Sequence, residues 1–163
     1  MFYVKLKNEV ANMSEPKNVN TCHGIGSGLI KLADGTVIKL LIAIIDIKES
    51  GFSPFGGINF DVKVMGGIST QSVPEEIKTS IRNKPLAPPE PPKDGWEIID
   101  IVEQKPPVTE EVVESSKGKF KVRIEAEAVM AARNMKYKSR SDEPIYWISW
   151  IYKTSWKPYK LED

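Results

Sequence analysis

The sequence predicts a β-rich α+β domain whose strands form mainly antiparallel sheet, arranged like a sandwich or a barrel. Two observations support this fold class. In most segments apolar and polar residues alternate, which is the period of a strand with one buried face. Only residues 74–83 have the spacing of a helix. The 163 residues predict a single domain, 1–163, because one hydrophobic core commonly serves about 100–200 residues.

The N-terminal half contains a predicted strand at residues 2–7 and then a β-hairpin. Asp34 and Gly35 lie between two apolar runs, and we expect a type I′ turn there, with positive φ at both central residues. The second arm, residues 37–47, is apolar on both faces for most of its length. A strand of that kind is usually central in its sheet and covered on both sides.

A further strand is predicted over residues 58–65, where apolar and polar side chains again alternate. Two glycine pairs flank it, Gly56-Gly57 before the strand and Gly66-Gly67 after it. Glycine adopts positive φ without steric cost, so we interpret both pairs as turns rather than as the hinges of a ligand lid.

The predicted helix at residues 74–83 has an N-terminal signature and an apolar face. Ser72 and Glu75 have the spacing of a capping box, and Pro74 suits the first turn. Pro85 should end the helix, because the residue before a proline avoids the helical conformation. Apolar residues recur every four positions on one face, at Val73, Ile77 and Ile81.

Five prolines follow within residues 84–95, which predicts an extended polyproline II segment without ladder hydrogen bonds. We interpret this segment as a semi-rigid strap across the surface of one domain, because the residues before it contain too few apolar elements for a separate core. A spacer between two halves and a docking motif for a proline-binding partner are the alternatives.

The C-terminal half is predicted to consist of further strands. Residues 96–104 form one strand, and a second hairpin turns near Lys117 and Gly118. The return arm of that hairpin alternates cleanly from residue 120 to residue 128. Residues 145–152 form the last strand, because β-branched and aromatic residues dominate them.

The sequence contains one cysteine and one histidine, Cys22 and His23, which are adjacent. Adjacent side chains of an extended chain point to opposite faces, which disfavours a thiolate–imidazole pair, and two such residues alone cannot form a zinc site. The glycines from Gly24 to Gly28 precede a strand rather than a helix, so they indicate a bulge or a close backbone approach and not a phosphate-binding loop. We predict no catalytic residue, no metal ligand and no cofactor.

Carboxylates offer the remaining route to catalysis. Asp46 ends an apolar strand and would have a raised pKa if it were partly buried. An enzyme with a carboxylate site around Asp46 or Asp61 is therefore a third interpretation, which we rank below two binding functions. Glu125 and Glu127 share a strand face with basic residues, which is typical of a solvated surface with paired charges.

Composition favours a cytoplasmic protein. The net charge of +1 predicts no general attraction to nucleic acid or to anionic membranes. The first residues lack the apolar core of a signal peptide, and no apolar run approaches the roughly 20 residues of a membrane span. One cysteine cannot form an internal disulfide. Scarce glutamine and abundant lysine and glutamate resemble the usage of thermophiles.

Charge is distributed unevenly along the second half of the chain. Residues 94–114 contain seven acidic residues and one basic residue, whereas residues 115–163 contain eleven basic and six acidic residues. We interpret the two segments as neighbours that neutralise each other, in preference to two separate binding surfaces.

The C-terminal segment is the strongest candidate for a functional surface. Seven of the fourteen aromatic residues lie between Tyr137 and Tyr159, and basic residues lie among them. Tyrosine, tryptophan and arginine are preferred at protein interfaces, and aromatic side chains with cations also bind single-stranded nucleic acid. The candidate partner-binding residues are Trp147, Trp156, Tyr159, Lys136, Lys138, Arg140, Lys153 and Lys157.

The leading functional prediction is a non-enzymatic intracellular interaction module. It would bind a protein partner, or associate with itself, through the aromatic C-terminal strand, and no membrane partner is expected. The alternative is a module that binds single-stranded RNA or DNA through residues 136–160. That alternative requires one contiguous positive patch, and acidic residues covering the patch would exclude it.

Overall fold

The computed structural model describes residues 24–160, which form eight strands and one helix. In chain order the elements are β1 (Ile25–Leu32), β2 (Val37–Glu49), β3 (Phe60–Ser72), α1 (Glu75–Ile81), β4 (Trp96–Ile99), β5 (Ile101–Lys105), β6 (Val108–Ser115), β7 (Gly118–Lys138) and β8 (Pro144–Pro158). The predicted strand at residues 2–7 and the Cys22-His23 pair lie outside the described residues.

The eight strands form two antiparallel sheets. The first sheet has the order β3-β2-β1-β5. In the second sheet the long strand β7 is central, with β8 along one side over almost its whole length and with β6 and β4 sharing the other side. In the described part of the chain neither sheet closes into a barrel, so the predicted antiparallel, β-rich fold class is confirmed in its sandwich form.

The main hydrophobic core lies between the two sheets. Side chains of β1 and β2, such as Ile30 and Leu40, pack against side chains of β7 and β8, such as Ile124 and Ile148. Residues 40–44 of β2 are buried on both faces, which confirms the predicted central position of this strand. A second, smaller cluster at one end of the sandwich consists of Ile58, Phe60, Phe120 and Val122.

The glycines at the start of β1 allow the second sheet to approach closely. A Cβ atom on Gly26 would lie 2.7 Å from the Val108 carbonyl oxygen, and one on Gly28 would clash with the Lys105 carbonyl oxygen. The chain leaves β5 and enters β6 at this point, so it passes directly over β1. The predicted close backbone approach is therefore confirmed, and its cause is the crossover between the two sheets.

Two predicted turns differ from the structure. The β1–β2 hairpin turns where expected, but only Gly35 has positive φ (89°), so the turn is not type I′. The Asp34 carboxylate instead accepts a hydrogen bond of 2.8 Å from the Thr36 N–H, which stabilises a different turn. The prediction of a turn at Gly66-Gly67 is wrong, because β3 continues through both residues to pair with β2.

The helix α1 lies where it was predicted, but the capping box is absent. Ser72 is the last residue of β3 and pairs with Val37, so Pro74 takes the N-cap position and no side chain caps the helix. Ile81 is buried, as the apolar spacing predicted.

The predicted strand at residues 96–104 is two strands in different sheets. Asp100 separates them, and its carbonyl oxygen accepts a hydrogen bond of 2.9 Å from the Ala33 N–H. The prediction that residues 84–95 form no ladder hydrogen bonds is also wrong at one point. Backbone hydrogen bonds of 2.9 Å join Pro85 and Ala87 to Lys138. The interpretation of this segment as a strap on a single domain stays a prediction.

Candidate functional site

The strand β8 presents one face to the core and the other to the surface. It pairs with β7 from Pro144, opposite Lys138, to Pro158, opposite Phe120. On the inner face Tyr146 and Ile148 are buried. On the outer face Trp147 is 55% exposed and Ile151 is 49% exposed. The structure therefore confirms the two faces that the alternation of this strand predicted.

Among residues 24–160 no strand pairs with the side of β8 that faces away from β7, and we call this side the free edge. The N–H groups of Ala126 and Ala128 donate to Pro107 and Gln104, on the far side of β7 from β8. In an antiparallel ladder, two residues that form a non-hydrogen-bonded pair both direct their N–H and C=O groups away from each other's strand. Tyr152 and Trp150, which lie opposite these alanines, therefore direct their N–H and C=O groups away from β7.

By the same alternation, Tyr146 and Ile148 also direct their backbone groups to the free edge. Within residues 24–160 no backbone hydrogen bond to another element satisfies this edge between Ile145 and Tyr152. The stretch also contains no charged residue and no proline, and its register with β7 places the bulge on β7. Charges, prolines and bulges are the usual features that prevent edge strands from pairing.

An apolar surface extends from β8 across the outer face of the second sheet. Ile98 of β4, Ala132 of β7 and Trp147 of β8 form one cross-strand row. The bulge at Val129 turns this residue and Met130 outward together, beside Ser149. We define the outer patch as the five exposed side chains Ile98, Val129, Met130, Trp147 and Ile151. An exposed apolar surface of this kind is typical of an interaction site.

Trp147 is held in place although more than half of it is exposed. Its ring packs edge-to-face against Trp96, with centroids 5.9 Å apart and planes at 86°. Trp96 is fixed in turn, because its Nε1–H donates a hydrogen bond of 2.7 Å to the Pro92 carbonyl oxygen. A rigid, exposed aromatic side chain loses little conformational entropy when it binds a partner.

The other two aromatic candidates lie at the opposite end of β8. Trp156 packs edge-to-face on Phe60 at 5.4 Å, and its Nε1–H donates to the Phe55 carbonyl oxygen at 3.0 Å. The Tyr159 N–H donates to the Lys119 carbonyl oxygen. Trp156 is nine residues from Trp147, which is about 30 Å along a strand. The structure therefore does not bring these residues together with Trp147.

Three of the candidate cations form ion pairs with carboxylates. Lys136 pairs with Asp94, Lys138 pairs with Asp142 at 2.9 Å, and Lys153 pairs with Glu127 at 2.6 Å. The hydrogen bond from Lys153 to Glu127 raises the pKa of its ammonium group. Arg140 and Lys157 are exposed, and no ion pair involves them among the described residues.

The candidate cations fall into two groups at opposite ends of the β7–β8 pair. Lys138 lies opposite Pro144, and Lys157 lies opposite Lys121. Positions 144 and 157 are thirteen residues apart, which is about 40 Å in a strand. The positive patch that nucleic-acid binding required is therefore not contiguous.

The acidic segment lies beside the basic one, as the charge distribution predicted. The strands β4 and β6 carry acidic residues along one side of β7, and their carboxylates pair with its cations. These pairs are Glu97–Arg133, Glu110–Lys121, Glu114–Lys119 and, just before β4, Asp94–Lys136.

A polar cluster fixes the inner side of β8. Tyr146 donates a hydrogen bond of 2.9 Å to Asp34 and bonds to the hydroxyl of Thr36 at 2.8 Å, while Arg133 pairs with Asp34 at 3.1 Å. Burial opposes ionisation of Asp34, but the hydrogen bonds from Thr36, Tyr146 and Arg133 outweigh it and lower the pKa of this carboxyl. Burial also raises the pKa of the Tyr146 hydroxyl well above its usual value.

The carboxylates considered for catalysis lie on the surface. Asp46 is half exposed and lies 3.6 Å from the ammonium group of Lys48, and Asp61 is also exposed. Residues 24–160 contain no group of three or more histidine, cysteine, aspartate or glutamate side chains placed to hold a metal ion.

The sequence did not indicate the part of the outer patch that lies outside β8. Ile98 joins the patch because β4 pairs with β7, and Val129 joins it because of a bulge. The position of Ile98 two residues after Trp96, on the same face of a strand, was the available signal, but it could not show which strand would lie beside β4. Phe52 and Phe55, in the loop between β2 and β3, are further exposed aromatics that the prediction omitted.

Comparison of the chain with protein-family models, curated proteins and solved structures found no match. Within the described residues, no helix combines the length and the apolar character that crossing a bilayer requires.

Proposed function

We propose that the chain is a non-enzymatic interaction module of the cytoplasm, which binds a protein through β8. The free edge of the strand supplies backbone donors and acceptors, and Trp147 supplies a fixed aromatic anchor. Addition of a strand to an exposed sheet edge is a common mode of protein recognition, in which main-chain hydrogen bonds provide affinity and alternate side chains provide specificity.

One observation carries this proposal: within the described part of the chain, no strand pairs with the outer edge of the stretch between Ile145 and Tyr152, which bears exposed apolar side chains. A soluble domain normally protects such an edge with charges, prolines or a covering loop. The rest of the outer patch, on β4 and β7, extends the same apolar surface beyond the edge.

Single-stranded nucleic acid is the less well supported partner. The aromatic residues of the C-terminal third are separated along β8, and most of the nearby cations are already paired with carboxylates. A nucleic-acid site would need exposed aromatics and free cations in one groove.

Site-specific photo-crosslinking tests the proposal. Trp147 is replaced by the photoreactive residue p-benzoylphenylalanine, which keeps an aromatic side chain at the position, and the full chain is irradiated in an extract of its source cells. Ser69 is the matched control position, because it is exposed on β3 in the other sheet. We expect a discrete covalent adduct with a protein from position 147 and none from position 69.

The adduct from position 147 should also decrease when Ile151→Asp is added, because the charge lies on the same face of the strand four residues away. The absence of any adduct from position 147, or equal adducts from both positions, would refute binding through β8.

A further inference from the structure

We infer that the partner of β8 is β8 of a second copy of this chain, paired antiparallel about a two-fold axis at Ser149. This inference rests on the proposed function and identifies its partner. The two strands would join the second sheets of both copies into one continuous sheet. Closed two-fold symmetry is the commonest form of homo-oligomer, and it requires a surface that is complementary to itself.

The free edge of β8 has the hydrogen-bonding pattern that this pairing needs. Because Ala126 and Ala128 form their hydrogen bonds on the far side of β7, every second residue of β8 directs its N–H and C=O groups away from β7. These residues are Tyr146, Ile148, Trp150 and Tyr152. An axis at Ser149 places Ile148 opposite Trp150 of the second copy and Tyr146 opposite Tyr152. Each of these pairs joins two residues whose backbone groups point at the partner strand, so they form the hydrogen-bonded positions of the new ladder.

The outer side chains are arranged symmetrically about the same residue. Trp147 and Ile151 lie two positions before and two positions after Ser149, on the same face. The axis therefore brings Trp147 of each copy opposite Ile151 of the other, at non-hydrogen-bonded positions, where side chains lie closest. Pairs of an aromatic and a β-branched side chain are among the favourable cross-strand pairs.

A small residue occupies the axis itself. Ser149 would face Ser149 of the second copy, at a position where Cα atoms are about 4.5 Å apart. Serine at the axis leaves room on the sheet face for the flanking pairs of Trp147 and Ile151.

Charge is also compatible with self-association. No acidic or basic residue lies between Pro144 and Tyr152, so the two-fold axis brings no like charges together there. Lys153 falls opposite Ile145, and its charge is already paired with Glu127 of its own chain. A charged partner would find no complementary charge in this stretch.

Cysteine crosslinking tests the position of the axis. Cys22→Ser removes the single native cysteine, and Ser149→Cys then places one thiol at the proposed axis. The expected Cα separation of about 4.5 Å lies within the range that a disulfide spans. Ser155→Cys in the same background is the matched control, because Ser155 is exposed on β8 but lies about 40 Å from its counterpart across the axis.

Mild oxidation of the purified full chain should convert most of the Ser149→Cys protein to a covalent dimer and leave the Ser155→Cys protein as single chains. Far-ultraviolet circular dichroism and thermal melting check that both variants fold. No covalent dimer from Ser149→Cys, or equal dimer from both positions, would overturn the inference. In that case an adduct between position 147 and a different protein would leave the proposed function standing, whereas no adduct at all would refute both.

Discussion

Arg133 of β7 and Asp34 of the β1–β2 turn form an ion pair of 3.1 Å that joins the two sheets behind β8. The side chain of Asp34 is only 7% exposed, and Arg133 also bonds to Glu97 on the neighbouring strand β4. The pair therefore links the hairpin of the first sheet to the sheet that carries the outer patch.

We expect Asp34→Asn to lower the free energy of unfolding at neutral pH by about 1–3 kcal/mol, because Arg133 and Tyr146 lose a charged acceptor. The pKa of Asp34 in the folded protein is below its unperturbed value of 3.8. The ionised carboxylate of Asp34 therefore makes its full contribution to the free energy of unfolding above pH 3.8. This contribution is lost as the pH falls through the pKa that Asp34 has in the folded protein.

Urea unfolding of the wild type and the variant between pH 2 and pH 7 measures this effect. The difference between the two proteins should shrink at the acidic end. Asp46→Asn is the matched control, because this aspartate is half exposed and its ion pair with Lys48 is long. A difference between wild type and Asp34→Asn that stays constant over the whole pH range would contradict the account.

Gly66 and Gly67 provide a second matched pair of variants. A Cβ atom on Gly66 would lie 2.6 Å from the Tyr152 hydroxyl and 2.9 Å from the Trp150 ring, whereas a Cβ atom on Gly67 meets nothing within 4 Å. We expect Gly66→Val to destabilise the protein by about 1–3 kcal/mol through this overpacking. Gly67→Val should change the free energy of unfolding by no more than about 0.5 kcal/mol. Chemical denaturation measures both variants, and equal changes in the two would contradict this prediction.

The fold class was predictable because the strands on either side of the core alternate clearly. On β7, Phe120, Val122 and Ile124 face the core, and the polar residues between them face outward, as the period of two required. The central position of β2 was equally visible, since a run of apolar residues without alternation must be covered on both faces.

The path of the chain between the sheets could not be predicted from the same pattern. Alternation shows which face of a strand is buried, but it does not show which strand lies beside it. Apolar residues continue on both sides of Asp100 within residues 96–104, so nothing in the sequence indicated that β4 and β5 separate there into different sheets. The sequence could not show the real constraint on Gly66, which is its contact with Trp150 and Tyr152, because these residues are remote from it in sequence.

The candidate surface was predictable only in part, because alternation shows which side chains of a strand are exposed but not which strands lie side by side. The exposure of Trp147 follows from the alternation of β8 alone. The roles of Ile98 and Met130 depend on strand pairing and on a bulge, which are properties of the assembled sheet. Trp156 looked equivalent to Trp147 in the sequence, but its contact with Phe60 places it in the smaller core cluster.

The two tryptophans should therefore respond differently to substitution. Trp156→Ser should lower the free energy of unfolding by about 1–3 kcal/mol, because it removes apolar contacts with Phe60 and Phe55. Trp147→Ser should lower it by about 1 kcal/mol or less, because more than half of the side chain is exposed. Chemical denaturation compares the two variants at a protein concentration low enough to make association negligible. Equal losses of unfolding free energy would refute the assignment of Trp147 to the surface.

Binding to single-stranded nucleic acid should be weak. Because Lys136, Lys138 and Lys153 are already paired with carboxylates, we expect no saturable binding of labelled RNA or DNA oligomers at about 150 mM salt. Fluorescence anisotropy at low and moderate salt measures this. Tight, salt-sensitive binding that Trp147→Ala weakens without unfolding the protein would favour the nucleic-acid function over the one proposed.

Sedimentation equilibrium of the full chain tests the central claim, that β8 pairs with β8 of a second copy, most directly. We expect a mass of twice 18.3 kDa for the wild type at micromolar concentration. Ser149→Lys should sediment as a single chain, because it places two like charges at the two-fold axis. The substitution should not disturb the fold of the single chain, because position 149 is exposed. A single-chain mass for the wild type, or an unchanged dimer for Ser149→Lys, would contradict the account.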